Sequence, residues 1–274
     1  MAISIQHALA KPLKTRQLAV IAAFAALYSV LRLIPFIPLI GGTGTFPAGD
    51  FVPSLFGVLL GPYVAAASIT LGTLVAYPLQ ISLGRPLLFL GLDFLPAAIN
   101  AVAVGLLVRK KRLILLLLFA ILLLLFLIHP LTLRLVDLSL FGLTFTIPYN
   151  WLHFVAFALA LSPLAPRASK WVTEVSIPNL AKGFALLAFV GTMMQHLTGG
   201  LLTENIPGPA YAFASGIGWQ SYWTLIFYRY PPERLIITII ATVIGVPVIR
   251  TLSVSRRIER LVSPSAGMAP RVKS

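Results

Sequence analysis

The chain has 274 residues, of which 58% are hydrophobic and only 10% charged, with a mean hydropathy of +0.95. A soluble domain carries roughly 25% charged residues, so a water-soluble globule is excluded. There is no Cys, which removes disulfides, thiolate catalysis and cysteine metal sites. The net charge of +14 is assigned to topology rather than to nucleic acid, because basic residues of membrane proteins collect on the cytoplasmic side.

The first apolar run lacks a cleavage pattern and is followed by many more, so it reads as a retained span rather than a signal peptide. A crossing helix needs about 20 apolar residues, and the chain supplies that length several times. In chain order the expected membrane segments are 17–38, 51–60, 62–83, 86–108, 112–129, 146–165, 179–202 and 232–254. The fold class is therefore all-α, a single polytopic bundle in the cell membrane. Residues 1–16 are expected as a cytoplasmic segment and 255–274 as a basic cytoplasmic tail.

The stretch 51–83 reads as one helix or two, since Gly61-Pro62 interrupts it. Charge decides. With a hairpin broken there, Arg109-Lys110-Lys111-Arg112 falls inside with Arg167, Lys170 and the tail; with one span, that cluster would face out, against the positive-inside bias. The hairpin places both termini in the cytoplasm. Segment 51–60 is then too short to cross a core of about 30 Å, and is expected to be sheltered by protein or to tilt in a thinned bilayer.

This direction gathers the polar residues of the spans in the outer half of the membrane. Arg32 lies near the outer end of the first span, and Tyr77 and Gln80 close the third. Arg85 caps the fourth, with Asp93 about two turns below it and Asn100 about two turns deeper. Asn150 and His153 lie in the outer third of the sixth, and Gln195 and His196 near the outer end of the seventh. Polar groups at membrane depth usually face a protein interior or wet cavity, and their shared depth predicts one cavity open to the outside. Each residue also has a plainer reading. Arg32 and Arg85 can snorkel or anchor at the interface, Asp93 can pair with either arginine, and the histidines and amides can hold helices together.

Residues 41–50, rich in Gly and ending at Asp50, read as a lid over the cavity or as a plain connector. The aromatic stretch 203–231, with Trp219, Trp223 and several Tyr, reads as an interfacial segment or as a stacking platform for an aromatic ligand. On the first span Ala19 with Ala23, and Ala22 with Ala26, repeat at four-residue spacing and leave a smooth face for another helix.

From Thr15 to Ala76 the chain resembles the membrane-embedded S components of energy-coupling factor transporters. The likeness rests on the Ala-rich first helix, Gly49-Asp50-Phe51, the short second helix and the turn Leu60-Gly61-Pro62. Pro232 through Leu252 is similar to that family's last helix, and Gln195-His196 near Gly199-Gly200 to its fifth. Such proteins usually have six helices, so 112–165 is expected to be an extra helix pair. The resemblance implies high-affinity capture of a vitamin or similar micronutrient from outside. It further implies docking through Ala19, Ala22, Ala23 and Ala26 on a transmembrane coupling subunit, and two ATPase subunits that drive uptake. The expected ligand residues are Arg32, Asp50, Tyr77, Gln80, Arg85, Asp93, Asn100, Asn150, His153, Gln195, His196 and Trp219.

No Walker-type phosphate loop is present, so ATP hydrolysis needs separate subunits, and no cofactor or metal is expected. An intramembrane enzyme is the first rival reading, but no His-x-x-Glu-His or helical carboxylate pair occurs among the four histidines and seven acids. An ion-coupled secondary transporter is the second, yet the broken hairpin at 51–83 has no twin in the other half.

Overall fold

In a computed structural model the described residues are 15–38, 45–85, 87–140, 142–174, 176–214 and 216–262. Much of the expected lid (41–44), most of the N-terminal segment (1–14) and the tail beyond 262 lie outside them. α1 (Thr15–Leu33) runs into a two-stranded antiparallel ribbon, β1 (Pro35–Pro38) with β2 (Thr45–Pro47). The first segment thus stops being helical at Leu33, one residue before Ile34-Pro35, because a proline disfavours helical geometry in the residue before it. A 3₁₀ turn, Ala48–Phe51, then leads into α2 (Pro53–Leu60).

The chain does break at Gly61-Pro62. Gly61 takes φ 78° and α3 (Pro62–Ser82) starts on the next residue, where proline's missing N–H leaves no intrahelical bond unmade. The turn is wedged against α4 (Leu95–Val108): a Cβ added to Gly105 would lie 2.4 Å from the Pro62 nitrogen. The same device joins α1 to α3, where a Cβ on Gly72 would lie 2.5 Å from the Ala25 carbonyl. Small residues therefore set how closely these backbones approach.

α5 (Arg112–Ile128) exposes Leu113, Leu117, Ile121, Leu124 and Ile128 while burying Leu115, Phe119, Leu123 and Phe126. A helix that is apolar on both faces, with leucines outermost, belongs in a bilayer rather than in water. Between α5 and α6 (Trp151–Leu161) the chain forms an antiparallel hairpin, β3 (Leu135–Leu140) with β4 (Leu143–Pro148), turning at Gly142 with φ 79°. The expected extra helix pair over 112–165 is thus α5, a hairpin and α6. Residues 146–150, read above as the start of a span, belong to strand and turn.

α7 (Leu164–Trp171) is short, and α8 (Ile177–Asn205) is the central helix, packed by α4, α10, α7, α6 and α5. α9 (Gly208–Ala214) precedes α10 (Trp219–Val262), which runs 44 residues through Pro231, Pro232 and Pro247. Helices α1, α3, α8 and α10 are long and apolar enough to cross a membrane, and α4, α5 and α6 are shorter apolar helices. The protein is a helical membrane protein. A large core joins α4, α5, α6, α8 and α10, and a smaller one around Tyr28, Phe56 and Ile69 joins α1, α2, α3 and α4.

Candidate functional site

The two cores meet at one end of the bundle around a cavity of about 390 Å³. Its walls come from the end of α1 (Arg32), the 3₁₀ turn (Asp50), α3 (Gln80), the α3–α4 connection (Phe89, Asp93), α8 (Gln195, His196) and α10 (Tyr222, Trp223, Arg234). Five of the residues singled out from their shared depth, Arg32, Gln80, Asp93, Gln195 and His196, therefore line one space, with Asp50 from the end of the expected lid. The 3₁₀ turn is seated on α1 because Gly49 has no side chain; a Cβ there would stand 3.3 Å from the Arg32 backbone.

A chain of amides runs beneath the floor. Ser54 donates to Asn100 Oδ1 at 2.8 Å, and Asn100 Nδ2 donates to Gln195 Oε1 at 2.8 Å. Gln195 Nε2 is then left to face Asp50 Oδ1, at 3.3 Å. Asn100 is 1% exposed and does not reach the cavity, but it fixes which end of Gln195 points at Asp50. Burial raises the Asp50 carboxyl above its ordinary 3.8, against the pull of Arg32, Arg234 and the Gln195 amide.

His196 is held in the same manner. His153 Nε2 and His196 Nδ1 lie 3.1 Å apart, and both rings stack beside Tyr230. His153 is fully buried and its Nδ1 has no partner. An orphan lone pair is tolerated better than an orphan N–H, so the His153 proton sits on Nε2 and is donated to His196. That leaves the His196 proton on Nε2, in a residue that lines the cavity. Arg32 Nε and Gln80 Oε1 are also buried without partners, one a donor and one an acceptor. The site thus offers donors in Arg32, Arg234 and His196, carboxyl groups in Asp50, Asp93 and Glu233, and an aromatic wall.

Asp93 also does structural work, as do the expected residues outside the cavity wall. Asp93 is not in a helix: its carboxylate accepts the Leu88 and Phe89 N–H groups at 3.0 and 3.2 Å and shapes the α3–α4 connection. The expected segment 86–108 is helical only from Leu95. Arg85 Nη1 donates to the Leu33 carbonyl at 2.8 Å and ties that connection to α1. Tyr77 donates to the Gly91 carbonyl at 2.6 Å, and Trp219 Nε1 to the Leu131 carbonyl at 2.7 Å. Asn150 is buried ahead of α6, away from the cavity. Trp223 and Tyr230 are 2% and 0% exposed and join Tyr149 and Phe126 in a packed tier, of which Trp223 reaches the cavity wall.

Arg234 and Glu233 were not among the expected ligand residues, and Trp223 was read only as part of the aromatic stretch; all three line the cavity. Arg234 is 5% exposed, and a charge so far inside an apolar helix is a site signal in its own right. The two prolines before it masked that, since they read as a loop. Ala19, Ala22, Ala23 and Ala26 are all exposed on one face of α1, opposite the buried Ile21 and Tyr28. Comparisons with protein-family models, with curated proteins and with solved structures give no match to this chain.

Proposed function

We propose that the protein is the substrate-binding S component of an energy-coupling factor type transporter, capturing a vitamin-sized anion for ATP-driven uptake by separate subunits. The observation that carries this reading is the cavity itself. It lies at the opposite end of the bundle from the 109–112 cations, so the positive-inside bias makes it open outward. A volume of about 390 Å³ falls in the usual range for small-molecule sites, about 300–1,000 Å³.

The lining chemistry favours a flat ring bearing a carboxylate or phosphate. Arg32, Arg234 and the His196 Nε2–H suit the anion, and Tyr222, Trp223 and Phe89 suit the ring. The exposed alanine face of α1 fits the docking role that the resemblance implies, without side chains to hold a partner helix away.

Mass spectrometry of the extracted protein is expected to find such a compound copurifying. Pull-down from native membranes is expected to recover a coupling protein and an ATPase pair, and Ala22→Trp to abolish that recovery with ligand binding intact. Recovery of the chain alone, with no affinity in a thermal-shift panel of vitamins, would refute the proposal.

A further inference from the structure

The four clustered cations at the α4–α5 turn do not act as one patch. Arg109 packs against the Gly61 turn, and Lys111 lies over the Tyr63 ring at 5.8 Å from its centroid. Lys110 and Arg112 face the other way, into a cavity of about 700 Å³ between this turn and α7, where Lys170 joins them. Leu107, Val108 and Pro166 make its apolar wall.

Nothing acidic lines this space, and among the described residues none of the three cations makes an ion pair. The two hydroxyls in the wall are committed elsewhere. Ser169 donates to backbone carbonyls of Leu107 and Ala165, and Thr173 to that of Lys170. Arg112 uses Nε on the Ala160 carbonyl at 2.8 Å, leaving its outer nitrogens. Three like charges around one void repel, and an anion placed among them relieves that repulsion.

The backbone gives an independent pointer. The Lys110 and Lys111 N–H groups return to the Leu107 and Leu106 carbonyls at 3.0 and 2.8 Å, closing α4 with Lys110 at φ 59°. This closure puts Gly at that position by preference, because a Cβ strains the left-handed conformation. Lysine occupies it here, at the cavity wall.

The space also opens beside lipid-facing side chains. Leu113 and Ile114 on α5, and Leu161 and Leu164 flanking the α6–α7 corner, are all exposed. A free phosphate would use only the cationic wall, whereas a lipid would use both. We propose that this cavity binds the phosphate headgroup of an anionic phospholipid, gripped by Lys110, Arg112 and Lys170 with its acyl chains along α5 and α6.

The test uses the full chain in neutral detergent, with bound lipid counted by native mass spectrometry. Short-chain phosphatidylglycerol is expected to be retained over phosphatidylcholine, and millimolar inorganic phosphate not to displace it. Lys110→Gly relaxes the backbone, so its melting temperature is expected to hold or rise while phosphatidylglycerol affinity falls about fivefold. Lys170→Gln is expected to weaken binding by about the same factor with the α4 closure untouched. Equal retention of the two lipids, wild-type retention by both variants, or displacement by free phosphate overturns the proposal.

Discussion

Gly191→Ala is expected to destabilise the bundle, whereas Gly199→Ala, about two turns along the same helix, is not. A Cβ at Gly191 would sit 2.3 Å from Asn100 Oδ1 and 2.9 Å from Val104 Cγ2. Ordinary contact begins at 3.4 Å, so the amide would have to retreat by about 1 Å on the steric spacing usual in packed interiors. It has nowhere to go, because Ser54 and Gln195 hold its two ends at 2.8 Å each. Interhelical hydrogen bonds in membranes average about 0.6 and reach about 1.7 kcal/mol, and overpacking costs about 1–3 kcal/mol. Against this, alanine in place of glycine gains at most about 1 kcal/mol of helix propensity. The net loss is expected at about 1–3 kcal/mol. Nothing lies within 4 Å of a Cβ at Gly199, so that variant keeps the propensity gain and only narrows the cavity. Reversible unfolding in mixed micelles, followed by tryptophan fluorescence, measures both. A Gly191→Ala protein as stable as the parent would refute the amide chain as described.

Arg32→Gln and Arg234→Gln are each expected to weaken an anionic ligand by about ten- to a hundredfold, the worth of a charge-assisted hydrogen bond; calorimetry with the copurified compound checks this, and unchanged affinity in both would remove the anion from the assignment. Asp50 lies in the 3₁₀ turn outside the long helices, and its carboxyl is raised by burial above 3.8. A carboxyl raised on folding contributes fully below its unfolded value and loses that contribution as pH climbs through the folded one. Stability should therefore decline as pH rises from the ordinary carboxyl value through the raised one, and Asp50→Asn should flatten the slope in unfolding curves; an unaltered slope would place the titration elsewhere. Trp219→Phe removes the 2.7 Å bond to Leu131 and is expected to lower stability by about 0.5–1.5 kcal/mol, with ligand affinity unchanged in the same calorimetric assay.

Helix breaks and polar depth were legible in the sequence because both are local. Gly61-Pro62 stops a helix wherever it stands, and Gln195 and His196 carry their depth in their distance from the helix ends. The hairpin at 135–148 was also written locally, in the alternation Val136-Asp137-Leu138-Ser139 and the turn at Gly142. Most of it fell between the expected spans, and 146–148 was absorbed into the following one because its residues are apolar, which hid the period of two. Arg234 was hidden for a different reason. Its significance depends on α10 continuing through Pro231 and Pro232, which helices buried among neighbours tolerate and which no local rule announces. The tautomer of His196 depends on a ring 43 residues away, a relation that only folding creates.

The length of α10 has a mechanical consequence. The cavity wall and the basic end of the chain belong to one rod, and from Pro232 to Val262 it extends about 45 Å at 1.5 Å per residue. Its pliable points are Pro231, Pro232 and Pro247, where backbone hydrogen bonds are missing. A ligand drawing Arg234 inward would tip the arm beyond it, and a tilt of about 5° would carry the far end about 4 Å over that length. On the proposed reading, occupancy at one face of the membrane would be geared to displacement at the other, with the prolines as its fulcrum.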